Sequence, residues 1–366
     1  MDMKRKFARM AAALLAAILF SPCAASALSA KRAIVVDGQT GRVLYEKNAD
    51  EQSLIASTTK IMTALIVCEQ CNVLDRVAIP KEAVGIEGSS IYLREGEILT
   101  VQELLYGMML HSGNDAAVAL TIYCGGTVEG FAELMNDKAH RLGMKDSHFV
   151  NPNGLDAPGH YSTARDLATL ACYAMENPIF ARTVSAKTVT VGERSLRNHN
   201  KLLWQVEGAD GVKTGFTKAA GRILVSSAVR QGRRIVAVTI NAPDDWNDHK
   251  SLLEQGFSEF TPQTLVQEGQ CLGELAVAGG TAGVVKLIAA EPFCYAMRDS
   301  ESWSLKLPDP GFVYAPVVHG QSAGYAHIYV DGAPVGKIAL FYGETVEQQQ
   351  RPEIPWYKRL FCGGKE

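Results

Sequence analysis

The sequence predicts an α+β fold: an antiparallel sheet flanked by helices, followed by a small C-terminal β-domain. Three observations carry this. β-prone runs stand at both ends of residues 28–260 with helical periodicity between them, the pattern of a mostly antiparallel sheet covered by helices. The composition changes near Thr261, after which short β-prone runs dominate. A hydrophobic content of 47% with 20% charge, over 366 residues, is enough to bury a core. The expected division is 1–27 leader, 28–260 main domain, 261–345 β-domain and 346–366 tail.

Lys4, Arg5, Lys6 and Arg9 precede an apolar run from Met10 to Phe20, Pro22 breaks it, and Ala25-Ser26-Ala27 supplies small residues for cleavage after Ala27. This is the pattern of a secretory signal peptide, so the mature chain is expected to be secreted and extracytoplasmic. Of the eight cysteines, Cys23 falls in the leader. The odd remainder cannot pair completely within one chain. Cys68 and Cys71 have C-x-x-C spacing but share an apolar helix and have no second ligand pair, so they read as buried structural thiols rather than a metal site.

The elements follow in order. Ala33–Asp37 and Arg42–Glu46 are strands joined by Gly38-Gln39-Thr40-Gly41 into a hairpin. A helix opens at Ser57, whose hydroxyl is placed to cap it, and runs to about Gln70 with Ile61, Ala64, Leu65 and Cys68 on its apolar stripe. Thr100-Val101-Gln102-Glu103 is a capping box opening a helix to about Leu110. His111–Asp115 interrupts it, and Ala116–Tyr123 is a second, buried helix. Glu129–Leu142 is amphipathic and ends at Gly143. Asn151-Pro152-Asn153-Gly154 is a turn, and Thr163 caps a helix that stops before Pro178. Lys187–Val191, Arg222–Arg230 and Ile235–Asn241 are strands, and Asp244–Phe260 is a closing helix. Beyond Thr261, Gly283–Ala289 and Ala326–Val330 are strands, with a hairpin turn at Asp331-Gly332. In the tail, Trp356, Tyr357, Leu360 and Phe361 with Lys358 and Arg359 resemble a short interfacial helix, which makes a membrane surface a candidate partner.

Chemistry concentrates in three strings that occur once each: Ser57-x-x-Lys60, Ser112-Gly113-Asn114 and Lys213-Thr214-Gly215. In the first, a hydroxyl and an amine sit on one face of a helical turn, the arrangement of a nucleophile and its base. The set resembles that of penicillin-binding proteins and class A β-lactamases. Phe149–Leu155, Ser162–Ala168 and Asp210–Leu224 narrow the likeness: residues 28–260 resemble the low-molecular-mass D-alanyl-D-alanine carboxypeptidases, serine peptidases of the penicillin-binding protein/β-lactamase superfamily.

The resemblance implies a β-lactamase/transpeptidase-like fold with a β-domain behind it. It implies an enzyme that removes the terminal D-Ala from peptidoglycan stem pentapeptides through an acyl-enzyme on Ser57, with no cofactor or metal, and β-lactam antibiotics as covalent inhibitors. Lys60 would be the base, which asks the site to lower a lysine pKa by about three units, roughly 4 kcal/mol. Ser112 would relay a proton to the leaving amine, and Asn114 would hold Lys60 and the substrate backbone. Lys213 and Thr214 would bind the terminal carboxylate, and Gly215 would let substrate lie along the strand edge. The backbone N–H groups of Ser57 and Phe216 would form the oxyanion hole, where losing one donor typically costs about 3–4 kcal/mol.

Other readings are weaker. An endopeptidase on crosslinked peptidoglycan would use the same residues. A β-lactamase would carry a deacylating Glu-x-x-Leu-Asn motif, whereas Glu133-Leu134-Met135-Asn136 lacks the Leu-Asn pair. A penicillin sensor without turnover would need a signalling span, and no apolar stretch after the leader is long enough. A net charge of −3 gives no case for nucleic acid.

Overall fold

The structure is a computed structural model that describes residues 28–350. The leader and the aromatic tail lie outside the described residues. The main sheet has five strands in the order β2-β1-β9-β8-β7: β1 is Arg32–Asp37, β2 Val43–Lys47, β7 Ala209–Thr217, β8 Gly221–Arg230 and β9 Arg233–Ile240. Short two-stranded ribbons pair β3 (Arg76–Ala78) with β4 (Ile98–Thr100) and β5 (Thr188–Val191) with β6 (Arg194–Arg197). The helices are α1 (Lys60–Gln70), α2 (Val101–Leu110), α3 (Asn114–Gly125), α4 (Val128–Arg141), α5 (Ala164–Glu176), α6 (Pro178–Ser185), α7 (Leu202–Gln205) and α8 (Asp245–Glu259).

Contacts divide the chain into two units. Among the described residues, one holds 28–34, Glu46–Ala228 and Ala237–Leu252; the other holds Val35–Tyr45, Val229–Val236 and 253–350. In the first unit α1 is the central element. Every residue from Lys60 to Cys68 is buried, the mark of a helix enclosed on all sides. Its neighbours α2, α3, α4, α5 and α6 all pack on it. The predicted capping box is present: Thr100 Oγ1 accepts from Glu103 N, and the Glu103 carboxylate accepts from Thr100 N.

One local reading needs correction. Ser57 does not cap α1. It lies inside a 3-10 turn, Ala56–Thr59, and neither that turn nor α1 has a side-chain cap. Pro178 ends α5 but also begins α6. Asn177 Oδ1 accepts from Ile179 N and Phe180 N, and proline fits the first helical position because its missing N–H has no partner there. Asp210–Gly215 is part of β7, antiparallel to β8 and bulged between Ala209 and Gly211. The strand Arg194–Arg197 is also additional to the expectation.

The second unit contains a six-stranded sheet, β14-β16-β17-β12-β11-β15, and a β10-β13 ribbon. The strands are β10 (Thr261–Val266), β11 (Cys271–Ala278), β12 (Val284–Ala289), β13 (Phe293–Met297), β14 (Trp303–Lys306), β15 (Phe312–Tyr314), β16 (Ser322–Val330) and β17 (Ala333–Tyr342). Pairings are antiparallel except β11 with β15. Val285, Leu287, Ala326 and Leu340 form one core cluster, and Val266, Ile328 and Ile338 another. A buried Arg233–Asp37 ion pair at 2.7 Å and the Arg42–Glu301 pair also lie in this unit.

The cysteines divide by exposure. Cys68 is buried, and burial pushes its thiol up to about 12, an inert structural thiol. Cys71 is half-buried, while Cys271 and Cys294 are exposed.

Candidate active site

The 3-10 turn puts Ser57 one turn ahead of Lys60 at the mouth of α1. Ala56 sits in the left-handed region at φ +45° to make that turn, and Ser112 does the same at φ +63°. Such conformations cost about 1–3 kcal/mol for residues with side chains and persist where the surroundings enforce them. Close approach requires glycine at 154 and leaves little room at 215. A Cβ on Gly154 would lie 1.9 Å from Ala56 O, and one on Gly215 would lie 3.3 Å from Ile55 O, Ser57 N and Thr58 N. Gly215 therefore lets β7 lie directly against the Ser57 turn.

Lys60 is fully buried, and its Nζ has three neighbours: Ser57 Oγ at 3.1 Å, Asn114 Oδ1 at 2.6 Å and the Asn153 carbonyl at 2.5 Å. Burial drives its pKa well below the ordinary lysine value, and the nearby Lys213 pushes the same way against a smaller opposing pull from Asp115. A neutral amine has two N–H groups and one lone pair. Both carbonyl oxygens can only accept, so they take the two N–H groups, and the lone pair faces the Ser57 hydroxyl. That is the geometry of a serine activated by a lysine base.

Ser112 and Asn114 come from the α2–α3 junction. Asn114 N donates to Ser89 O at 2.7 Å and Asn114 Nδ2 to Glu87 O at 2.5 Å, so the amide's orientation toward Lys60 is fixed. Asp115 accepts from Ile91 N, Leu93 N and Ser90 Oγ, which ties the 89–93 loop to the start of α3. On the opposite side Lys213 is buried in β7; its Nζ donates to Ser112 Oγ at 3.1 Å and to Thr214 O at 2.8 Å. Burial lowers its pKa to about 7.

Ser57, Ser112, Thr214, Gly215 and Phe216 line one cleft of about 1000 Å³, with Lys60 and Lys213 behind its floor. The eight residues singled out in the sequence thus meet at one place. Some partners carry no sequence signature. The Asn153 carbonyl is a backbone atom of the Asn-Pro-Asn-Gly turn, visible beforehand only as a turn. His160 is a second: its ring nitrogen contacts Thr59 Oγ1 at 2.7 Å, and its Nδ1 accepts from Val150 N at 3.2 Å. Burial lowers its pKa to about 4, so it is neutral and serves to hold the turn beside Lys60. No group of three or more His, Cys, Asp or Glu side chains able to hold a metal occurs among the described residues.

Comparisons with known proteins agree on one family. Residues 20–244 match the profile of the D-alanyl-D-alanine carboxypeptidases, and residues 260–348 match that of the penicillin-binding protein 5 C-terminal domain. The D-alanyl-D-alanine carboxypeptidase DacF of Bacillus subtilis is 33% identical over 83% of this chain and 82% of its own length. DacC of Escherichia coli is 33% identical over 90% of this chain and 89% of its own. Among solved structures, penicillin-binding protein 5 of Haemophilus influenzae superposes with a TM-score of 0.78 at 29% identity, covering 89% of this chain and all of that one. A Streptomyces K15 DD-transpeptidase variant gives 0.61 at 33% identity, over 63% of this chain and 98% of its own.

Proposed function

The chain belongs to the D-alanyl-D-alanine carboxypeptidase family and is a serine hydrolase of it, and on that premise we propose how its residues divide the reaction on peptidoglycan stem peptides. Ser57 attacks the carbonyl carbon of the D-Ala-D-Ala bond as its proton passes to Lys60. Ser112, held by Lys213, relays a proton to the departing D-Ala nitrogen as the C–N bond breaks, giving up its own and taking the one that Lys60 received, so that Lys60 is neutral again. Thr214 and the protonated Lys213 hold the terminal carboxylate. The N–H groups of Ser57 and Phe216 carry the developing oxyanion. Water then attacks the acyl-serine, with Lys60 taking its proton and passing it to Ser57 Oγ as the ester C–O bond breaks. The observation that carries this assignment is the two-acceptor cage that leaves the Lys60 lone pair facing Ser57.

The test is release of free D-Ala from a stem pentapeptide with a free C-terminus and from its C-terminal amide. Hydrogen bonds to charged groups are worth about 1.5–3 kcal/mol, so the amide should turn over more than tenfold more slowly. Equal turnover removes Lys213 and Thr214 from carboxylate binding, and no D-Ala from either peptide removes the carboxypeptidase reading.

We read residues 28–260 as catalytic and 261–345 as a separate β-domain, a division supported by the two profile matches. The amino-terminal leader and the Trp356–Phe361 segment support a protein exported from the cytoplasm and held at the outer face of the membrane by its tail. Deleting residues 353–366 should abolish flotation of the mature protein with anionic liposomes. Unchanged flotation refutes the anchor.

A further inference from the structure

We propose that Arg197 and Lys201, each stacked on a tryptophan of the cleft wall, form a second carboxylate subsite. It would take a carboxylate of the stem peptide other than the terminal one held at Lys213 and Thr214. The inference rests on the reading of the chain as a peptidoglycan peptidase and names a further determinant of its substrate.

The chain from Arg197 to Lys201 alternates strictly. Asn198 and Asn200 are buried, whereas Arg197, His199 and Lys201 face outward and line the cleft. The buried asparagines lock the backbone. Asn198 Nδ2 donates to Val184 O and Ala186 O, Asn200 Nδ2 donates to Gly211 O at 2.7 Å, and His199 N donates to Leu110 O. The three outward side chains therefore leave a backbone that these bonds hold in place. His199 in the middle is held neutral, its pKa lowered to about 4 by burial and by Lys213 and His111.

The two cations are held by aromatic rings and not by acids. The Arg197 guanidinium lies 4.8 Å from the Trp204 ring centre and the Lys201 ammonium 5.8 Å from that of Trp246. Among the described residues no carboxylate pairs with either. The contrast is Arg222 on the same wall, which also lies over Trp246 but is neutralised by Asp245 at 2.7 Å. Asp245 is the only Asp or Glu among the cleft-lining residues. Stacking orients a cation without cancelling its charge, so Arg197 and Lys201 are aimed and uncommitted. The terminal carboxylate of a substrate cannot account for them, because its place is at Lys213. A stem peptide with a further carboxylate on the acyl side, or a crosslinked peptide with one on the leaving side, supplies the matching charge.

The experiment reads binding without turnover. Ser57→Ala protein is titrated calorimetrically with two pairs of ligands. The first pair is a stem pentapeptide whose third residue ends in a carboxylate, and its carboxamide. The second is a crosslinked dimer with a free carboxylate on the leaving stem, and its carboxamide. The acid of at least one pair should bind about tenfold more tightly, and the preference should shrink as salt is raised. Adding Arg197→Gln and Lys201→Gln, both exposed positions, should erase that preference while leaving the carboxamide affinity unchanged. Preference in the first pair places the ligand on the acyl side, and preference only in the second places it on the leaving side. Equal affinities within both pairs, or a preference that survives both substitutions, overturns the subsite. Release of D-Ala by the unsubstituted protein separately decides whether the carboxypeptidase reading holds.

Discussion

Ser57→Ala is expected to abolish covalent labelling by a fluorescent penicillin and to leave the thermal unfolding transition nearly unchanged. The Ser57 side chain hydrogen-bonds Lys60 and caps no helix, so its removal costs the fold about 1 kcal/mol at most. Lys60→Ala should slow acylation at least about a hundredfold, the lower range for loss of a general base. The pH dependence gives a second, independent reading. With Lys60 as the proposed base and Lys213 as the proposed carboxylate anchor, acylation needs the first neutral and the second protonated. On the acid side the rate falls as Lys60 takes up a proton, at a pH far below that of an ordinary lysine because the site is buried and Lys213 is near. On the alkaline side kcat/KM, which reports the free enzyme, falls as Lys213 loses its proton near pH 7. In kcat that limb moves to higher pH, since a bound carboxylate favours the charged amine. Labelling that persists in the alanine variant removes Ser57 as nucleophile, and a rate that rises monotonically to pH 10 removes the charged Lys213.

Much of this site was legible because its parts are side chains with a fixed spacing. Ser57 and Lys60 share one helical turn, and the Ser112 and Lys213 strings are short enough to read whole. The core helix was legible for the same reason, since its apolar stripe from Ile61 to Cys68 has helical period. What escaped depends on atoms or distances that no residue type encodes. The Asn153 carbonyl accepts a hydrogen bond from Lys60 only because the turn that holds it packs against α1. Ser57 had the right chemistry for a cap, yet the 3-10 turn turns its hydroxyl to Lys60 instead. Pro178 reads as a stop, and only the Asn177 side chain accepting from Ile179 N and Phe180 N reveals it as a start. Gly215 was read as making room for substrate along the strand, and the closest atoms to its missing Cβ are those of the Ser57 turn.

The penicilloyl-enzyme is expected to outlive the peptide acyl-enzyme by orders of magnitude. Hydrolysis of an acyl-serine needs a water beside the ester carbonyl and a base to deprotonate it. When D-Ala has left, its place beside Lys60 and Ser112 is open to water. When a penicillin ring has opened, the leaving amine remains tethered and fills that approach. A second base on another side would restore turnover, and no carboxylate lining the cleft among the described residues is free to serve as one. Glu133 is exposed on α4 and is not among the cleft-lining residues. Asp245, the one carboxylate lining the cleft, is buried against Arg222 at 2.7 Å. Asp115 is occupied by the N–H groups of Ile91 and Leu93 and the hydroxyl of Ser90. His160 has one ring nitrogen on Thr59 and the other accepting from Val150 N. Each 1.36 kcal/mol of added barrier is tenfold in rate, so losing the base and the water path together separates the two lifetimes widely. Intact-protein mass spectrometry after removal of free penicillin checks this against the rate of D-Ala release. An adduct that vanishes as fast as peptide turns over shows that a deacylating group operates in this cleft. An adduct that persists in a protein that never releases D-Ala shows acylation without turnover.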